Sequence, residues 1–227
     1  MPAATQERTN TGWLEPLERP TLAALAAQIP ARVTPDILTG IGFAGSLITF
    51  AGYALASQDP KWLWIASAGL IVNWFGDSLD GTLARYRKIE RPRYGYFLDN
   101  AIDLVMQFLL AAGIAISGFI RPDLCFVALS IFLMMSVLSL LRAHISGVFQ
   151  LSYGGIGPTE MRAMFILLNA AMYFFPPQPI SLLGVEMTYP NWLSLTWSSV
   201  ALATFVFSML ADLRRLAIED PPRLRER

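Results

Sequence analysis

The sequence has little of what builds soluble metal and redox sites: 227 residues contain one cysteine and one histidine. An intramolecular disulfide is excluded, and Cys125, inside an apolar run, reads as a small core or lipid-facing residue. No Cys/His cluster is available to favour zinc. Charge is scarce too, at 15% of residues, with 17 basic and 17 acidic side chains and a formal net charge of zero. The first thirty residues are polar, contain prolines and lack a long apolar segment, so no signal peptide is expected. Internal repeats and low-complexity tracts are absent. What is abundant is apolar: hydrophobic residues make up 54% of the chain and the mean hydropathy is +0.46, outside the soluble globular norm. The composition is that of an integral membrane protein.

Met1 to Arg19 carries no periodic pattern and reads as a flexible cytoplasmic tail. From Thr21, the residues Leu22, Leu25 and Ile29 share one helical side, which predicts a short amphipathic helix lying on the membrane surface. Thr34-Pro35 supplies a cap hydroxyl and a first-turn proline, and the apolar run from Ile37 to Ala56 then spans a bilayer. The second span starts at Trp62 and must continue through Asp77 and Asp80 to about Arg85 to be long enough. A third starts near Pro92, runs through Asp99 and Asp103 and ends at Ile120. Leu124 to Leu141, Pro158 to Phe175 and Trp192 to about Leu210 complete six transmembrane helices in an all-α fold. The proline-rich loop 176–190 is expected to hug the membrane surface. The division is a tail and interfacial helix over 1–33, a six-helix domain over 34–213 and a charged tail over 214–227.

The distribution of positive charge orients this layout. Fifteen of the 17 Lys and Arg residues fall in the N-terminal tail, the connections after spans two and four, and the C-terminal tail. Only Lys61 and Arg121 fall on the other side. The positive-inside rule therefore places both termini and the connection after span two in the cytoplasm, and a bacterial inner membrane is the expected setting.

Four aspartates stand where spans two and three meet, a place where a carboxylate is costly and usually has a task. Asp77, Asp80, Gly81 and Ala84 fall at i, i+3, i+4 and i+7, on one helical face. Gly95, Asp99 and Asp103 fall at i, i+4 and i+8 on the next helix. Two facing helices with two carboxylates each offer oxygen ligands to a hard divalent cation, Mg2+ or Mn2+. Gly81 and Ala84 leave room for a ligand to approach the backbone. Arg85 adds a planar fork for phosphate. Together these suggest a diphosphate held at the cytoplasmic surface.

The run Asp77-x2-Asp80-Gly81-x2-Ala84-Arg85 followed by Gly95-x3-Asp99-x3-Asp103 resembles the signature of the CDP-alcohol phosphatidyltransferase family. Eight fixed positions in two linked blocks carry the resemblance. One departure is visible: nine residues separate Arg85 from Gly95, where the family pattern has eight. The resemblance implies metal ligation by Asp77, Asp80 and Asp99, with Asp103 at the metals as general base. It implies nucleotide binding by Asp80, Gly81, Ala84, Arg85 and Gly95. The implied reaction is attack of an alcohol hydroxyl on the donor phosphorus, with CMP as leaving group, in a homodimeric enzyme of phospholipid biosynthesis.

Within that class the signature serves two donors. CDP-diacylglycerol could give a phosphatidyl group to a small alcohol such as glycerol 3-phosphate, an inositol compound or serine, which is the favoured reading. A CDP-aminoalcohol could instead give its head group to diacylglycerol. A membrane cation transporter is the rival from another class, but the acids sit near the cytoplasmic ends and no broken-helix pair appears. On the acceptor side, Arg142, Glu160 and Arg162 flank the connection between spans four and five, where the arginines could bind an acceptor phosphate or anchor topology by snorkelling. His144 reads as a structural hydrogen-bonding group, and Asp36 as a first-turn acid favoured by the helix dipole. The expected partners are a CDP-linked donor, an alcohol acceptor and membrane lipid, with no nucleic acid.

Overall fold

The computed structural model describes residues 7–221 apart from 10, 151, 153 and 183. Seven helices dominate the described residues: α1 (Glu15–Gln28), α2 (Pro35–Ala56), α3 (Trp62–Arg87), α4 (Pro92–Ser117), α5 (Pro122–Ser146), α6 (Pro158–Phe174) and α7 (Tyr189–Glu219). Short strands β1 (Glu7–Thr9) and β2 (Val148–Gln150) pair in parallel, and β3 (Pro179–Leu182) and β4 (Val185–Thr188) form an antiparallel hairpin. The loop expected to hug the membrane contains that hairpin.

Local chemistry sets the helix ends. Proline opens α2, α4, α5 and α6, where its missing N–H is one of the groups a first turn leaves unbonded. Thr34 caps α2 by accepting the Ile37 N–H at 3.3 Å, as the sequence predicts. Gly118 at φ +75° ends α4 at Ser117, three residues before the expected Ile120, because glycine adopts the left-handed conformation without strain. At the other end of the chain, α7 continues past Leu210 to Glu219, with Arg215 near Asp212 and Glu219 on the same side. That helix takes up residues 214–219 of the expected charged tail; residues 222–227 lie outside the described residues, as do 1–6.

Six helices occupy the places of the six expected spans, but four of them, α2, α4, α5 and α7, have the length and apolarity to cross a membrane among the described residues. The other two fall short for different reasons. Asp77, Asp80, Arg85 and Arg87 dilute α3, whereas α6 has 17 residues, about 25 Å at 1.5 Å per residue against a hydrocarbon core of about 30 Å. Large apolar side chains on the outer faces, among them Phe108, Phe132, Val137 and Phe207, are exposed as lipid contact requires.

The first helix corrects the sequence in two ways. It begins at Glu15, inside the expected tail, and its apolar side packs on protein. Leu22 and Ala26 are buried with Leu38 of α2 and Leu79 and Leu83 of α3, joined by Leu25 and Ile29. A second cluster joins Tyr53, Ala56, Leu63, Ala66, Ile114 and Met172, and includes the lone Cys125. Between the clusters α2 and α3 run almost in backbone contact. A Cβ on Gly69 would meet Thr49 N at 2.5 Å, and one on Gly76 would collide with Gly42 N and Leu38 O. These glycines let the two backbones meet, and the approach brings α2 against the acidic half of α3.

Candidate active site

The acidic half of α3 is gripped from two sides. From α2, Thr39 donates its hydroxyl to Asp80 Oδ2 at 2.6 Å, while Asp80 Oδ1 accepts the Gly81 N–H at 2.5 Å. From α6, Arg162 donates through Nη2 to Asp77 Oδ2 at 2.5 Å and through Nε to Asn73 Oδ1 at 2.7 Å. Asn73 is itself buried, and its amide donates to Gly42 O and Ser46 Oγ, both at 3.0 Å, which fixes the side chain that holds Arg162. Asn73 and Asp77 are one turn apart, so a single guanidinium spans both rungs.

The α4 carboxylates complete the acidic face. Asp99 and Asp77 both lie close enough for their negative charge to act on Asp80. Asp103 follows Asp99 by one turn and, like it, is half-buried. Asn73 Nδ2 also reaches Met106 Sδ at 3.1 Å, tying α4 to α3 below these acids. Among the described residues no three His, Cys, Asp or Glu groups stand close enough to enclose a metal ion. The donor chemistry nevertheless fits a hard divalent cation: Asp77 and Asp80 on α3 and Asp99 and Asp103 on α4 are oxygen donors with like charges that a cation would offset.

The nucleotide-side positions divide by crowding. Arg85 lies over Gly81, where an added Cβ would sit 3.3 Å from its Nη1, and donates to Thr82 Oγ1 at 3.2 Å. Gly95 opens onto free space. The connection between α3 and α4 is anchored by Arg87, which donates to the carbonyls of Ile29, Pro30, Ala31 and Val33, and by Arg91, which pairs with Asp36 and covers the Tyr94 ring at 4.1 Å. Asp36 is thus an ion-pair partner as well as a first-turn acid.

Of the three acceptor-side residues, the structure brings one to the aspartates. Arg162 reaches them; Arg142 pairs with Asp212 on α7 and donates to Ser208 O at 3.3 Å. Glu160 is buried, and its two oxygens accept backbone N–H groups, Gly157 at 2.8 Å and Leu14 at 2.7 Å. His144 is exposed at the end of α5. Sequence reasoning missed Thr39 and Asn73. Asn73 carried a signal, as an amide in an apolar span four residues before Asp77; Thr39 acts across helices, which spacing along one helix cannot reveal.

The chain matches the CDP-alcohol phosphatidyltransferase family over residues 32–197. It is 36% identical over 162 residues to an archaetidylinositol phosphate synthase of Pyrococcus horikoshii, covering 70% of this chain and 78% of that protein. A phosphatidylinositol phosphate synthase of Cutibacterium acnes is 33% identical over 111 residues, 48% of this chain and 49% of the relative. A cholinephosphotransferase 1 of Danio rerio is 27% identical over 179 residues, 73% of this chain and 46% of the relative. The chain belongs to the CDP-alcohol phosphatidyltransferase family. It is a membrane-integral transferase of phospholipid biosynthesis, which sets aside the transporter reading; the family uses CDP-linked lipid donors and alcohol acceptors and is generally dependent on divalent metal.

Proposed function

We propose that this enzyme transfers a phosphatidyl group from CDP-diacylglycerol to the hydroxyl of a phosphorylated inositol-type alcohol. The observation that carries the reading is Arg162 Nη2 against Asp77 Oδ2 at 2.5 Å. It sets a guanidinium, a group suited to phosphate, beside the acids that suit a metal and a diphosphate. Two of the relatives named above are inositol phosphate synthases, which supports the acceptor class.

Asp77, Asp80, Asp99 and Asp103 would hold Mg2+ or Mn2+, which when bound neutralises charge on the diphosphate and on the departing CMP. Gly81, Ala84, Arg85 and Gly95, with Asp80, receive the cytidine nucleotide. The acceptor oxygen forms a bond to the phosphorus that carries the diacylglycerol, the phosphoanhydride bond to CMP breaks, and CMP leaves with the electron pair. Asp103 takes the hydroxyl proton. Arg162 binds the acceptor phosphate and orients its hydroxyl.

We further assign the catalytic domain to 34–213, with α3 and α6 crossing alongside the four apolar helices, the aspartates and both termini in the cytoplasm, and two copies forming a homodimer. The charge pattern and the family support this arrangement.

The test is CMP release from CDP-diacylglycerol by purified enzyme with Mg2+ and a panel of acceptors. Turnover with inositol phosphate well above that with inositol, serine or glycerol 3-phosphate is the expected result. The cholinephosphotransferase relative favours a second reading, a CDP-aminoalcohol donor with diacylglycerol as acceptor. Turnover with that pair alone would replace the first.

A further inference from the structure

Glu18, in what reads as a featureless tail, joins three helices through one oxygen. Its Oε1 accepts the indole N–H of Trp74 at 2.7 Å, the hydroxyl of Ser78 at 3.0 Å and the hydroxyl of Thr159 at 2.8 Å. Trp74 and Ser78 lie on α3, one turn apart; Thr159 lies in the first turn of α6, three residues before Arg162. Asn73 and Asp77, the two acceptors of Arg162, immediately precede Trp74 and Ser78 along α3. The α3–α6 seam is therefore held by two parallel sets of rungs. One is Arg162 on Asn73 and Asp77, and the other is Glu18 between Trp74, Ser78 and Thr159.

Further contacts secure the segment around Glu18. Trp13 N donates to Gly155 O at 3.0 Å, Leu14 N donates to Glu160 Oε1, and Leu22 and Ala26 are buried on α2 and α3. A carboxylate fixed in this way can hold a hydroxyl of α6 at a set height along α3. Thr159 and Arg162 share one turn, so that height also sets where the guanidinium meets Asp77.

We propose that Glu18 is a positioning residue for the transfer reaction: it sets the register of α6 on α3 and thereby holds Arg162 at Asp77. The inference rests on the acceptor role given to Arg162 above. Loss of the carboxylate removes the Thr159 bond from the first turn of α6 and the Trp74 and Ser78 bonds from α3, so the two helices lose their shared acceptor, and small displacements of a substrate-orienting group are costly in rate.

The experiment is a double-mutant cycle on the full-length enzyme, read as kcat and KM for the acceptor and, separately, KM for the CDP-linked donor. Glu18→Ala is expected to lower kcat/KM for the acceptor about tenfold with donor KM little changed. Glu18→Gln, which keeps a carbonyl acceptor for the same donors, is expected to restore most of that loss. In an Arg162→Ala background, Glu18→Ala is expected to have no further effect, because its route to the reaction is already removed. Additive losses in the double mutant, or equal rises in donor and acceptor KM, would overturn the inference while leaving Arg162 in its role. Full activity of Arg162→Ala alone would overturn both. If Glu18→Ala does not fold, Thr159→Val removes the α6 bond alone, and the same cycle with Arg162→Ala decides.

Discussion

Arg162 on α6 and Asp77 on α3 form an ion pair at 2.5 Å, with side chains 13% and 22% exposed. They lie 85 positions apart in sequence, and their contact joins the acidic motif of α3 to α6. Truncating one partner of so enclosed a pair leaves the other charge without compensation.

Under the proposed acceptor role, replacing Arg162 acts on the acceptor. Arg162→Ala is expected to reduce kcat/KM for a phosphorylated acceptor by about 10–100-fold, with donor KM within about twofold of wild type. Arg162→Lys should recover only part of the loss, since an ammonium lacks the fork that spans Asn73 and Asp77. Steady-state kinetics with each substrate varied in turn checks both.

Thr39 is a partner of Asp80 from another helix, and groups that orient metal-ligating carboxylates usually affect metal affinity. Thr39→Val, close in shape but without the hydroxyl, is expected to raise the Mg2+ concentration for half-maximal activity by about tenfold or more. Thr39→Ser should restore it. A Mg2+ titration of the three enzymes measures the effect, and a metal response unchanged by Thr39→Val would remove Thr39 from this role.

Asp103 is assigned the proton. Asp103→Asn keeps the shape of the side chain but cannot accept a proton, so turnover is expected to vanish while binding of the CDP donor persists. Equilibrium binding of the donor beside a CMP-release assay separates the two. Comparable turnover by wild type and variant would withdraw the assignment.

Gly76 tests the packing that brings α2 to the site. A methyl group there collides with Gly42 N and Leu38 O, both backbone atoms that cannot turn aside. Gly76→Ala is expected to destabilise the protein by about 1–3 kcal/mol through overpacking. Thermal unfolding in detergent reads it. Gly40→Ala, where a Cβ meets nothing within 4 Å, is the matched control.

These relationships also mark what was legible in the chain. The aspartate motif, the proline-opened helices and the membrane class follow from spacing and composition, which act within one helix. The Thr34 cap is local and was readable for the same reason. Glu18, Thr39 and Asn73 matter through partners on other helices, and their contacts exist only once the glycine-lined α2–α3 seam has closed. Glu15 to Arg19 carries no apolar period, so nothing in that stretch separated a helix from a tail. Composition alone supports four spans; α3 stands apart because its apolar first half reads as a membrane helix while its second half carries the acidic motif. The spacing also left Arg142 and Arg162 alike, and their partners, Asp212 and Asp77, divide them.

The central claim is that the phosphorus attached to diacylglycerol moves to a phosphorylated inositol-type hydroxyl. Its most direct test uses CDP-diacylglycerol with 18O in the non-bridging oxygens of the lipid-linked phosphate, Mg2+ and inositol phosphate, with lipid products identified by mass. The account predicts a lipid whose mass is that of the donor with CMP replaced by inositol phosphate, carrying the label, together with unlabelled CMP. No labelled lipid from any phosphorylated acceptor, with product formed only from a CDP-aminoalcohol and diacylglycerol, would contradict it.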